Sequence, residues 1–212
     1  MTKNRHREAV ELANQIYPEF VKVYGDSNQF SLQVLATRAT SEAALEQWNA
    51  AINDEVTIHD IAMKSQGPLG LFSTLPFSDL GLFECQAGRY TQGIKTAKSA
   101  YENTQRTFAH RSGYVDATSF ALAFCDIGGG KINEAGALLA KIDANSISQL
   151  TADSGFGANV ALAKAQVALK QGNRSEAASQ LSTAEKIFKQ ESPSPYQKRW
   201  LETVESAIQK NT

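Results

Sequence analysis

A chain of 212 residues with 42% hydrophobic and 20% charged side chains has apolar material enough for a packed core and is not a disordered sequence. Its 21 Lys+Arg balance 22 Asp+Glu, a formal net charge of -1, which argues against a protein that works mainly on phosphate backbones. No apolar run approaches about 18 residues, so no membrane span is expected, and the basic stretch Met1 to Arg7 runs into Glu8-Ala9-Val10-Glu11 where a signal peptide needs an apolar core.

The pattern predicts helices throughout. The first runs from the N-terminal residues through Glu8-Ala9 to about Gly25. Gln29 to about Leu45 reads as the next, and Glu46 to about Ser65 as its partner, with Trp48, Ile52, Val56 and Ile61 as a buried stripe. After Gly67-Pro68-Leu69-Gly70, the residues Phe77, Leu80, Gly81 and Glu84 share a helical face that ends at Gly88. Gly93, Ala97 and Ala100 then mark a second helix, capped by Thr91 and extended through Tyr101 to about His110. The same two-helix pattern returns with Ser119, Leu122, Ala123 and Asp126 before Gly130, and with Ala135, Leu139 and Ile142 after the cap-type Asn133. It returns again with Ala161, Lys164, Ala165 and Ala168 before Gly172, and with Ala177, Leu181 and Ala184 after Ser175. Ser192-Pro193-Ser194-Pro195 stops the pattern and starts a last helix, whose face is Tyr196, Trp200, Val204, Ala207 and Ile208.

These elements keep one register. Gly88, Gly130 and Gly172 are 42 residues apart, as are Gly93, Ala135 and Ala177, and further steps of 42 lead back to Ala50-Ala51 and Glu8-Ala9. A glycine between two helices takes the left-handed conformation that closes a helix, and small residues beyond it let neighbouring helices approach closely. The expectation is an all-α chain of stacked helical hairpins forming a single domain. Its units are a partial one over 1–25, then 26–70, 71–111, 112–152 and 153–192, with a capping helix over 195–210 that covers the end of the stack. The second unit departs most, with Glu46 where the others have the turn glycine.

In the third unit Phe77, Leu80, Gly81, Tyr90, Gly93, Ala97 and Ala100 resemble the tetratricopeptide repeat, standing where that family places Trp, Leu, Gly, Tyr, Ala, a bulky apolar residue and Ala. The period of 42 rather than about 34 is similar to the kinesin-light-chain type of repeat. Glu84 and Asp126 replace an expected aromatic, and Lys164 an expected leucine. The resemblance implies a right-handed superhelix of about four and a half hairpins, a protein or peptide partner bound on its concave face, and a place in the C-terminal region of a larger bacterial signalling protein, behind a serine/threonine kinase or a winged-helix DNA-binding domain. It carries over as groove positions Asp79, Leu82, Gln86, Phe120, Phe124, Asn159, Gln166 and Lys170, among which Phe120 and Phe124, one turn apart, would form an apolar hot spot. The lack of a Lys/Arg pair for clamping a carboxylate points to an apolar or amide-rich partner.

Chemistry is sparse. His59-Asp60 with Ser65 or Cys85 can be written as a base and nucleophile, but no motif surrounds His59, and a helix-surface histidine is the better reading. Gly128-Gly129-Gly130-Lys131 is followed by Ile132 and lacks the first glycine of a phosphate loop, which leaves a turn between helices. No His, Cys or acidic set has metal-ligand spacing, and Cys85 and Cys125 read as small buried thiols, with redox pairing across the groove as the alternative. The expectation is therefore a non-enzymatic interaction module with no cofactor and no metal, and with neither nucleic acid nor membrane bound by this chain. The alternative is a sensor of a small ligand or peptide signal that controls an attached domain. Self-association through an uncovered N-terminal helix and a cytoplasmic location, periplasmic if the parent is membrane-anchored, complete the expectations.

Overall fold

The computed structural model describes residues 2–142, 155–190 and 192–210. Among them are ten helices and no strand: α1 (Thr2–Tyr24), α2 (Gln29–Ala44), α3 (Trp48–Gln66), α4 (Leu71–Gln86), α5 (Tyr90–Thr107), α6 (Ser112–Gly128), α7 (Ile132–Leu139), α8 (Gly155–Lys170), α9 (Arg174–Gln190) and α10 (Pro195–Gln209). Each helix packs on the next in sequence, and α2, α4, α6 and α8 also touch in succession along the inner side, giving an all-α helical-repeat superhelix. The boundary expected at 152 lies outside the described residues.

The register read from the glycines is the register of the turns. Gly88, Gly130 and Gly172 have φ of 81°, 82° and 77°. Beyond each, a backbone amide reaches back five residues into the preceding helix: Arg89 to the Glu84 carbonyl, Lys131 to Asp126 and Asn173 to Ala168, all at 2.8 Å. These bonds satisfy carbonyls that a helix end leaves orphaned. The second unit makes the same turn without glycine. Glu46 stands at φ 66°, and Gln47 N–H donates to the Glu42 carbonyl at 2.9 Å.

With three residues between the paired helices, the helix starts fall earlier than the expected Thr91, Asn133 and Ser175. Arg89 and Lys131 are the cap positions of α5 and α7, while Asn173 accepts from the Glu176 amide at 3.2 Å at the start of α9. At α10 the Ser-Pro signal acts as expected: Ser194 and Gln197 form a reciprocal capping box with Pro195 in the first turn.

The core is a chain of overlapping clusters rather than one centre. Leu32, Leu35 and Ile58 fill the α2–α3 end; Ala39, Ala51, Ile52, Leu80 and Phe83 follow; and Leu139, Leu162, Leu181, Phe188, Trp200 and Val204 close the other end. Where α4 meets α5, a Cβ on Gly81 would stand 2.6 Å from the Ala97 nitrogen, so the helices approach to backbone contact there.

Two features differ from the sequence reading. Cys85 and Cys125 are not separate thiols: they form a disulfide between α4 and α6, with Cα atoms 5.3 Å apart. They lie in the last turns of adjacent inner helices, where side-by-side packing brings the Cβ atoms within bridging range. The C-terminal helix, moreover, does more than cover the end of the stack. Trp200 and Val204 bury themselves against α8 and α9, and the helix then reaches across the concave side to α2. Arg199 pairs with Glu46 at 2.5 Å, and Trp48 meets the edge of Tyr196 with ring centres 5.3 Å apart. Glu46, the residue that replaces the turn glycine, is thus the one whose side chain fastens α10.

Candidate functional site

Parallel inner helices at a common register place every third or fourth residue on one inward face. On α4 this brings Leu75, Asp79, Leu82 and Gln86 to the concave side, and with α10 lying across the superhelix these positions wall a cavity of about 740 Å³. Its lining comes from α1, α2, α4, α6, α8, the residues before α10, and α10 itself.

Of the expected groove residues, Asp79, Leu82, Gln86, Phe120 and Asn159 line this cavity. Phe120 is buried, at 4% exposure, with its ring edge-on to Phe156 at 5.1 Å. Phe124 is half-buried beside it and meets Trp200 edge-on at 5.3 Å. The two phenylalanines therefore do not form an open hot spot, because α8 and α10 cover them. Gln166 and Lys170, further along α8, do not reach the cavity, and Lys170 is exposed in the last turn. The arc expected along the whole superhelix is thus confined to one chamber.

Three lining residues of α10, Tyr196, Gln197 and Trp200, were not read as site residues. Tyr196 lines the chamber with Gln86, and burial, the largest influence on it, pushes the phenol above its usual range. The Gln197 amide donates to Asn159 Oδ1 at 3.0 Å. The signal for Tyr196 and Trp200 in the sequence was the apolar face of the last helix, which fits a simple end cap equally well, and Gln197 carried none.

Asp79 is the acidic group of the chamber lining. Its side chain is exposed into the cavity, and desolvation by the protein around it raises its carboxyl to about 7. Its charge acts on Glu55 of α3, which is fully buried with both carboxylate oxygens unbonded. Burial first, then Asp79, then Asp54, drives Glu55 well above the ordinary carboxylate range. A second acidic site lies next to it in the fold. Arg38 forks onto Asp54 through two 2.6 Å bonds, while burial raises Glu42 to about 7.

The residues weighed for nucleophilic chemistry are engaged elsewhere. His59 stacks on Phe77 at 4.0 Å with Nδ1 3.1 Å from the Ser73 carbonyl. The Ser65 hydroxyl donates to the Ile61 carbonyl of its own helix, and Cys85 is in the disulfide. Gly128 to Lys131 forms the outer turn between α6 and α7. Among the described residues no group of three or more His, Cys, Asp or Glu is placed to hold a metal ion, and no helix is long and apolar enough to cross a membrane. No protein-family model matches the chain, and no curated protein matches it.

Proposed function

We propose that this chain is a non-enzymatic binding module of tetratricopeptide type, and that its site is the chamber between the inner helices and α10. The observation that supports this most is the bridge itself. A helix laid from α8 to α2 converts an open groove into a cavity of about 740 Å³, within the size range of pockets that enclose small ligands. A ligand seated there touches both the repeat stack and α10, so occupancy biases the α10 seat and can be passed to a neighbouring domain. This is the sensor reading of the sequence. Fragment screening by two-dimensional NMR tests it: binding fragments should shift signals of Ser78, Leu82, Gln86 and Trp200. Fragments that bind only on the outer helices, or none that bind at millimolar concentration, would overturn it.

A second reading keeps a protein segment as the partner. Here α10 already lies in the concave face as an amphipathic helix lies in a groove, so a partner helix would compete with it for Phe120 and Phe124. Deleting residues 191–212 should then raise affinity for such a helix; unchanged affinity would refute competition.

A further inference from the structure

We infer that the chamber takes an organic cation, an amine or quaternary ammonium on an aromatic or apolar body, with its positive group at Asp79. This rests on the chamber being a ligand site and names what that site selects.

Asp79 makes no hydrogen bond and no ion pair with any described residue, and no cation offsets the effect of its enclosure. While the chamber holds water, that water solvates the carboxylate. An occupant that displaces the water leaves the group desolvated unless it brings a positive charge or donors of its own. A neutral apolar ligand offers neither, and an anion places a second negative charge beside Asp79, with the Glu55 carboxyl behind it.

The walls suit the rest of such a molecule. Phe83 stands one helical turn beyond Asp79 on α4, and Tyr114, Phe120, Phe156 and Trp200 contribute ring surface from three other helices. Aromatic faces attract a desolvated cation through their quadrupoles. Arg5 lines the chamber from α1, and its guanidinium repels a cationic group, which favours the acidic α4 side as the seat.

The test uses the full chain and three probes of similar size: benzyltrimethylammonium, phenylacetamide and phenylacetate. Their dissociation constants are read by NMR titration of the Trp200 and Phe120 signals at pH 8. The inference predicts that the ammonium binds at least tenfold tighter than either other probe, and that D79N removes the preference while far-UV circular dichroism is unchanged. D79S, which leaves a smaller neutral group, gives an independent second variant. If phenylacetamide or phenylacetate binds the chamber as well as the ammonium does, the cation assignment is overturned and the chamber reading stands. If the ammonium preference survives both variants, Asp79 is not its seat. If no probe shifts chamber signals, the chamber reading fails together with the inference.

Discussion

Glu42, Glu84 and Asp126 occupy one register position, 42 residues apart, near the C-terminal ends of α2, α4 and α6. Each is buried, each has a carboxylate oxygen without a hydrogen-bond partner, and burial is the largest influence raising each above its ordinary range. An acid whose carboxyl is raised in the fold holds its proton over a pH interval in which the unfolded chain has already released it. Stability is therefore highest below the unfolded value and falls as pH rises towards the folded one. For Glu42 that interval runs from 4.5 to about 7, a loss of about 3 kcal/mol at about 1.4 kcal/mol per pH unit. Glu55 adds in the same direction. Urea unfolding followed by circular dichroism at pH 5.0 and pH 7.5 measures the difference. The wild-type chain should be less stable at pH 7.5, and E42Q, which has no proton to lose, should shrink the gap by about 2 to 3 kcal/mol. A gap that is absent, reversed or unaffected by E42Q would refute the argument that these carboxyls are desolvated.

The Cys85–Cys125 bridge closes a loop of 40 residues between α4 and α6, for which chain entropy gives about 4 kcal/mol; reduction or C85S should lower the thermal midpoint by about 10 °C, and an unchanged midpoint would argue against the bridge. Glu46 carries opposing effects: E46G relieves a left-handed residue by about 1 kcal/mol and removes the Arg199 partner. Amide exchange in α10 should accelerate while that in α2 and α3 does not, and equal protection of α10 in both proteins would contradict the fastening role. G81V puts branched carbon where a single Cβ already falls 2.6 Å from the Ala97 nitrogen, and it should destabilise by about 3 kcal/mol in urea unfolding. A loss under 1 kcal/mol would show that α4 and α5 can part there.

The repeat was legible because it rests on local chemistry. Glycines needed at left-handed turns and small residues needed at helix contacts recur with the period of the fold, so their spacing exposes the hairpins before any contact is known. The closure of the superhelix leaves no such trace. Tyr196 and Trp200 look the same in sequence whether α10 only covers α8 and α9 or also reaches α2. The one departure that marks the docking point, Glu46 in place of glycine, reads in sequence as a lost turn. The disulfide stood in sequence only as the alternative to separate thiols, because Cys85 and Cys125 are 40 rather than 42 residues apart and the lateral packing of α4 on α6 is what brings them together. Asp79, Leu82, Gln86, Phe120 and Asn159 were legible as inward positions, whereas Gln166 and Lys170 lie beyond the span that α10 closes. That Asp79 lacks a partner is a property of the whole chamber, which no local pattern carries.

The chain has two tryptophans, Trp48 on α3 and Trp200 on α10, so their indole protons can be assigned without ambiguity. Nuclear Overhauser contacts from these two rings test the central claim, that α10 crosses the concave face and closes it into a chamber, most directly. Trp200 should show contacts to Phe124 and Trp48 contacts to Tyr196, whose ring centres lie 5.3 Å apart in each pair. Contacts from Trp200 to Phe124 without any from Trp48 to Tyr196 would mean that α10 caps the stack and leaves the groove open.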